Sequence, residues 1–210
     1  MNNPSDFHYV MMNKPRGFVT ACKDEANRTV TEFLPENLRD MLRPIGRLDK
    51  DTEGLLLFTD DGHFNQFLTR PESHMPKTYF FWALGELTEE KKKALEQGVS
   101  LRGCDFLTAP AVLEIREHAE LSSIQSLLNP EAQPGILKNP ANNRVVSGLL
   151  TITEGRKHQV KRMLKAVGCY VVYLKRISIG EVALDESLKP GQCRELYREE
   201  WEKLCSTSST

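Results

Sequence analysis

The sequence has few cysteines, and none of them is placed to form a crosslink or a metal site. The five cysteines lie far apart and include no Cys-x-x-Cys pair. Disulfide frameworks and structural zinc sites both need suitably spaced cysteines, so neither is expected, and the thiols should be reduced. The sequence also has no other cluster of metal ligands and no phosphate-binding glycine loop. We therefore expect neither a metal nor an organic cofactor.

Long apolar runs and an excess of one charge are absent as well. No apolar segment approaches the length of a membrane span, and the first ten residues do not resemble a secretory signal. We therefore expect a cytoplasmic protein with no membrane partner. The net charge of −1 and the pI near 6.5 argue against a globally basic nucleic-acid binder. Any contact with a nucleic acid must come from a local surface.

The stretch GRLDKDTEGLLLFTDDG at residues 46–62 is the most specific part of the chain. Its charged first part ends at Gly54, and the apolar run at 55–58 predicts a buried strand. Asp49 would lie in a loop beside a sheet, where a rigid scaffold can hold a side chain against a substrate. By local sequence alone, a solvated turn residue is the commonest role for such an aspartate.

A calcium loop is a second interpretation of this acidic stretch. Asp49, Asp51 and Glu53 occupy alternate positions before Gly54, as in the first half of an EF-hand. The twelfth position, however, is Asp60 where a glutamate is expected, and the flanking segments have strand character where the motif needs helices. The calcium interpretation is therefore rejected.

Strands and short helices alternate along the chain. Strands are predicted at 7–12, 55–58, 77–84, 99–101, 111–115, 148–153, 169–174 and 177–179, and helices around 63–70, 88–97, 156–168 and 196–204. Residues 117–145 are rich in Ser, Asn, Pro and Gly and are predicted as an insertion or loop, and 206–210 as a disordered tail. This order predicts an α+β fold with a mixed, mainly antiparallel sheet in two subdomains that flank a cleft.

Two basic features are candidates for contact with a nucleic acid. The turn NKPRG at 13–17 would form a hairpin with Phe18 and Val19, and its charges would be solvated at the tip. The helix at 156–168 has one apolar face and one basic face. The basic face is the best local candidate for a phosphate-binding surface, although such a face is more often only solvated.

Together these stretches resemble the RsuA-like family of bacterial ribosomal pseudouridine synthases. The string at 46–62 is similar to the family signature, and its other motifs are matched by NKPRG, by KTY at 77–79, by EGRKHQVKRM at 154–163 and by LKR at 174–176. The resemblance covers roughly residues 7–204 and implies one pseudouridine synthase domain at 1–205. TAPAVLE at 108–114 and a lysine at 161 are most similar to the small-subunit branch.

The resemblance implies a role for each matched residue. Asp49 would be the catalytic residue, and Arg47 would lie beside the flipped nucleotide. Tyr79 would stack on the target uracil, and Leu174 would pack against Tyr79 under the base. Lys161 would pair with Asp49 and keep it ionised. Arg176 would lie at the cleft, and the remaining candidate RNA contacts are Lys14, Arg16, Lys77, Arg156, His158, Arg162 and Lys165.

The function implied is a site-specific isomerisation of uridine to pseudouridine in small-subunit rRNA. The partner would be ribosomal RNA or an immature subunit, and the protein is expected to be a monomer. Large-subunit rRNA is the alternative substrate, and a non-catalytic RNA-binding assembly factor is the alternative class. A glycosidase would need a second carboxylate at a fixed distance, for which Asp51 or Glu53 is only a guess. Typical members begin with an S4-type domain, which this chain is expected to lack.

Overall fold

The computed structural model describes residues 6–130, 133–138 and 143–206. The chain forms two units, which we call the first and the second unit. The first unit contains the residues up to Lys77 and those from Lys175 onward, and the second unit contains Thr78–Leu174. None of the helices in the described ranges is long and apolar enough to cross a bilayer.

Nine strands and five α-helices are found in the described residues. In chain order they are β1 (Tyr9–Lys14), β2 (Arg43–Ile45), β3 (Glu53–Thr59), α1 (Gly62–Thr69), β4 (Lys77–Leu84), α2 (Glu89–Gln97), β5 (Val112–Glu120), α3 (Gln133–Lys138), β6 (Arg144–Ile152), α4 (Gln159–Ala166), β7 (Tyr170–Ile179), β8 (Val182–Ala183), β9 (Cys193–Glu195) and α5 (Arg198–Ser206). Short 3-10 helices occur at Val30–Phe33, Pro71–Ser73 and Leu121–Leu127.

The first unit is built mainly from antiparallel strand pairs. Strand β1 lies between β3 and β9 and is antiparallel to both, and β2 is antiparallel to β3. The end of β7 is antiparallel to β8 and makes a short parallel pair with the start of β3. The apolar run of β3 is fully buried, and Leu55 and Leu57 share a core with Phe64 and Leu68 of α1 and Leu204 of α5.

In the second unit the strand order is β5-β6-β4-β7. Strands β5 and β6 pair antiparallel, with a register shift between Ile115 and His118. Trp82 and Tyr173 form a core with Ile124 of the 3-10 helix that follows β5. The mixed, mainly antiparallel sheet that the sequence predicts is confirmed.

The structure differs from the predicted elements where long-range contacts determine the secondary structure. Residues 117–145 are not one loop, because they include the end of β5, the 3-10 helix at Leu121–Leu127, α3 and the first residues of β6. The predicted strand at 99–101 is reduced to one bridge between Ser100 and Leu107. Strand β7 is a single strand where two were predicted. The last four residues of the predicted tail lie outside the described residues.

The predicted hairpin at 13–19 is also wrong. Strand β1 continues through Lys14, and Val19 makes only an isolated parallel bridge with Thr29. Elements with clear local signals are confirmed. Strand β4 has the predicted bounds, and α2 begins after its N-cap Thr88 and ends before its C-cap Gly98, whose φ is +91°.

At Gly54 the backbones of β3 and β7 lie close together. Its φ is +99°, and a Cβ added there would overlap the carbonyl oxygen of Arg176, the residue paired with it. Any side chain at this position would therefore be strained by the backbone conformation and would also push the two strands apart.

We expect Gly54→Ala to lower the free energy of unfolding by about 3 kcal/mol, from conformational strain plus steric overlap. Gly17→Ala is the matched control, because Gly17 has a φ of +90° and no atom within 4 Å of the added Cβ. The control should lose only about 1 kcal/mol. Urea unfolding measures both losses. Equal losses would show that the contact with Arg176 adds no constraint.

Candidate active site

Asp49 lies on a tight turn of the first unit, between β2 and β3. The amide of Thr52 donates to the carbonyl oxygen of Asp49 at 3.1 Å and closes the turn. Just before the turn, Leu48 exchanges two hydrogen bonds with Thr20 Oγ1, at 2.8 and 3.2 Å. Asp49 is partly buried, whereas Arg47 is exposed. The backbone on both sides of the carboxylate is thus fixed by hydrogen bonds.

Lys14 anchors the same turn from below the surface. Its side chain is fully buried, and Nζ donates to the carbonyl oxygens of Pro15, Lys50 and Thr52 at 3.0, 3.4 and 2.8 Å. A buried ammonium needs such partners, because removing an uncompensated charge from water is costly. The interpretation of Lys14 as a solvated turn charge and an RNA contact is therefore wrong. Its role is to support the turn that carries Asp49.

Arg16 also contacts the segment that follows this turn. Its guanidinium forms an ion pair with Glu53 at 3.1 Å, with about a fifth of each side chain exposed (18% and 21%). The amide of Gly17 donates to the carbonyl oxygen of Lys50 at 2.8 Å. The expectation of a solvated charge is corrected for Arg16, while its contact with RNA stays a prediction. The NKPRG segment is fastened to residues 50–53.

Lys77 and Arg176 bring two positive charges together in the first unit. Arg176 is 2% exposed, its Nε donates to the carbonyl oxygen of Leu55 at 2.8 Å, and its buried Nη2 has no hydrogen-bond partner in the described part of the chain. Lys77 Nζ donates to the carbonyl oxygen of Met75 at 2.7 Å. Burial, and then the charge of Arg176, lower the pKa of Lys77 from 10.5 to about 8. Such a pair favours an anionic ligand.

Tyr79 and Leu174 belong to the second unit. Tyr79 lies on β4 and is 8% exposed, and Leu174 lies on the neighbouring strand β7 and is 5% exposed. Both side chains are buried, and they lie on adjacent strands. Their packing beneath a base stays a prediction.

The segment before α4 is organised by the carboxylate of Glu154. Its oxygens accept hydrogen bonds from the amide of Ala109 at 2.9 Å, from Arg156 Nε at 3.0 Å and from Gln159 Nε2. Gln159 Oε1 in turn accepts from the Arg156 amide at 2.8 Å. Glu154 and Gln159 are not among the site residues that the sequence predicts. The available signal was their place inside the motif EGRKHQVKRM.

Two arginines of this motif bind backbone within the second unit. Arg156 donates to the carbonyl oxygens of Phe106 and Leu107 at 3.4 and 3.1 Å, and Arg162 donates to that of Arg102 at 2.6 Å. Both were predicted as RNA contacts. Their guanidinium groups hold the 102–107 segment, and their contact with RNA stays a prediction.

The other basic residues near α4 differ in exposure. Lys165 and His158 are exposed, and Lys161 is partly buried. His158, the residue before the helix, has the left-handed conformation with φ 52° and ψ 33°, which is uncommon for a residue other than glycine. The opposite face of α4 packs as predicted, with Val160, Met163 and Leu164 buried.

Comparisons with known proteins point in the same direction as these motifs. A family model described as RNA pseudouridylate synthase matches residues 8–166. An uncharacterized RNA pseudouridine synthase, YtzG of Bacillus subtilis (strain 168), is 44% identical over 196 residues, which is 93% of this chain and 72% of that protein. The ribosomal small subunit pseudouridine synthase A of Vibrio cholerae is 39% identical over 193 residues, which is 91% and 71% of the two chains.

Solved structures give a consistent result. A structure described as "Crystal structure of pseudouridylate synthase" superposes with a TM-score of 0.77 at 38% identity and covers 94% of this chain and 74% of its own. An archaeal box H/ACA Nop10–Cbf5 complex gives a TM-score of 0.54 at 16% identity and covers 88% and 51%, which shows a shared fold alone.

We expect Lys14→Met to lower the free energy of unfolding by about 2 kcal/mol, because buried carbonyl oxygens lose their donor. Lys23→Met is the matched control, since Lys23 is an exposed lysine of the same unit. It should change stability by less than about 0.5 kcal/mol. Urea unfolding measures both values, and wild-type stability in Lys14→Met would contradict the anchoring role.

Proposed function

The chain belongs to the RNA pseudouridylate synthase family, and we propose that its substrate is the ribosomal RNA of the small subunit. Family membership makes the protein a pseudouridine synthase, which is an isomerase. The relatives named ribosomal small subunit pseudouridine synthase A support this choice of RNA. Large-subunit rRNA is the alternative. A ribosomal substrate implies work in the cytoplasm, where bacterial ribosomes assemble.

The reaction sets clear demands on the protein. The N1–C1′ bond of uridine breaks, the uracil turns over, and a C5–C1′ bond forms, while C5 loses its proton and N1 gains one. Oxidation state and atom count are unchanged. The protein must supply a carboxylate beside the sugar or C6, a cation that keeps it ionised, a surface on which the base can stack, and exclusion of water.

Asp49 is our candidate for the carboxylate, and its turn is the observation that carries the proposal. The side chain is partly buried, while the backbone on either side is held by Thr20, Thr52 and the buried Lys14. A fixed backbone allows a carboxylate to meet a reacting atom without reorganisation. Three routes are open to this carboxylate, which are nucleophilic attack at C1′, addition at C6 and proton removal at C2′, and all three need its ionised form.

The second unit would supply the other two groups. Lys161 would pair with Asp49 and keep it ionised, and as a point charge it would orient the carboxylate less tightly than an arginine. Tyr79, with Leu174 beneath, would stack on the extruded uracil and replace the stacking lost on leaving the RNA. Arg47 would lie beside the nucleotide, and Lys77 with Arg176 would favour a phosphate near it.

We expect Asp49→Asn to abolish release of tritium from small-subunit rRNA labelled at uracil C5. The amide cannot act as nucleophile or base, whereas the fold should persist. Asp51→Asn is the matched control, because Asp51 is an exposed carboxylate of the same turn. It should release tritium at close to the wild-type rate.

The same assay separates the competing functions. Release of tritium from large-subunit rRNA alone would show that large-subunit rRNA, the alternative, is the substrate. If the wild type bound naked rRNA and immature subunits but released no tritium from either, the RNA-binding assembly factor would be favoured and the proposal would fail.

We expect Lys161→Ala to lower turnover by about 100-fold or more while RNA binding is mostly retained, because it removes the charge proposed to hold Asp49 ionised. Lys93→Ala is the control, since Lys93 is an exposed lysine of the same unit that is not among the candidate RNA contacts. Single-turnover rates and the Kd for rRNA are measured separately. A fall in turnover that only follows a loss of binding would contradict the pairing.

A further inference from the structure

We infer that Phe106 stacks on a base of the substrate RNA and that Arg156 and Arg162 hold its loop in place for this purpose. Phe106 is 77% exposed, more than any other large apolar side chain in the described residues. It belongs to residues 102–108, which we call the aromatic loop. The choice of RNA as ligand rests on the proposed function.

The aromatic loop is fixed at both ends and along its length. The amides of Cys104 and Thr108 donate to the carbonyl oxygens of Leu101 and Val99 at 2.9 and 3.0 Å. The Val99 amide donates to Thr108 Oγ1 at 3.0 Å. The exposure of the aromatic ring is therefore a property of an ordered loop.

The two arginines connect this loop to the segment around α4. Arg156 reaches the carbonyl oxygens of Phe106 and Leu107, and Arg162 reaches that of Arg102. Arg156 is itself oriented by Glu154. Arg162 also approaches the carbonyl oxygen of the exposed Lys157 at 3.5 Å. The backbone of the aromatic loop is thereby held next to the basic segment of the second unit.

The charge of these two segments favours RNA as the ligand. Residues 102–108 and 154–166 contain six Lys or Arg and two Asp or Glu, whereas the whole chain has a net charge of −1. An exposed ring on a loop that is bonded to a basic segment suits a single-stranded nucleic acid, because every base has a face for stacking and every phosphate attracts a positive side chain. If the ligand were a protein, we would expect the neighbouring Leu107, which is 58% exposed, to be buried together with Phe106.

We expect Phe106→Ala to weaken binding of in-vitro-transcribed small-subunit rRNA about tenfold and to raise KM with kcat little changed. Val112→Ala is the control, because Val112 is 66% exposed in the same unit. It should bind as the wild type does. Phe106→Trp should restore the affinity, and its fluorescence should be quenched when RNA binds. Equal affinities of Phe106→Ala and Val112→Ala, or an unquenched tryptophan, would overturn the inference.

Abasic substitutions in the RNA locate the stacked base. One abasic position should weaken binding of the wild type and have little further effect on Phe106→Ala, because both changes remove the same contact. The inference would be overturned in favour of a protein partner by a different pair of results. Phe106→Ala would then bind RNA with wild-type affinity, and both Phe106→Ala and Leu107→Ala would lose binding of a ribosomal protein.

Tritium release separates this inference from the proposed function. If the wild type released no tritium but its RNA affinity depended on Phe106, the function would fail and the inference would stand. If tritium release were normal and Phe106→Ala had the wild-type Kd and KM, the inference would fail and the function would stand.

Discussion

A buried positive charge fixes the turn on which the proposed chemistry depends. Lys14 is fully excluded from solvent, and its ammonium is compensated by carbonyl oxygens on both sides of Asp51. Because an unpaired buried charge is so unfavourable, the carbonyl groups of Lys50 and Thr52 must stay turned toward it. The backbone around Asp49 is therefore determined by the end of β1 as well as by its own loop.

The pairing of β3 with β7 adds a second constraint on the same region. Gly54 faces Arg176 at a distance that leaves no room for a side chain, and Arg176 donates to the carbonyl oxygen of the next residue, Leu55. Two motifs far apart in the sequence are thus joined within the first unit. The glycine of the signature is required by the strand that passes it, while the aspartate has the proposed chemical role.

Local signals were enough to predict β4, the cap and end of α2 and the buried run of β3. They failed where a distant contact decides the environment. Beside Pro-Arg-Gly, Lys14 has the local character of a solvated turn, and its burial depends on a contact 36 residues away. The charged residues at 175–176 likewise interrupt the apolar pattern of β7, so two strands were predicted there. In the structure Arg176 donates to the carbonyl oxygen of Leu55, and one strand continues through both residues. The roles taken from the resemblance needed whole motifs, since no single residue carried enough information.

The motif around α4 shows why charge patterns alone overstate a binding surface. The sequence predicts a basic helix face, yet Arg156 and Arg162 use their guanidinium groups on carbonyl oxygens of the aromatic loop. Fewer of their N–H groups are then left to bind phosphate oxygens directly, and the chain has no overall positive charge to add. Affinity for RNA must come to a larger extent from stacking on aromatic and apolar side chains. The arginines contribute indirectly, because they hold the loop on which such a side chain is presented.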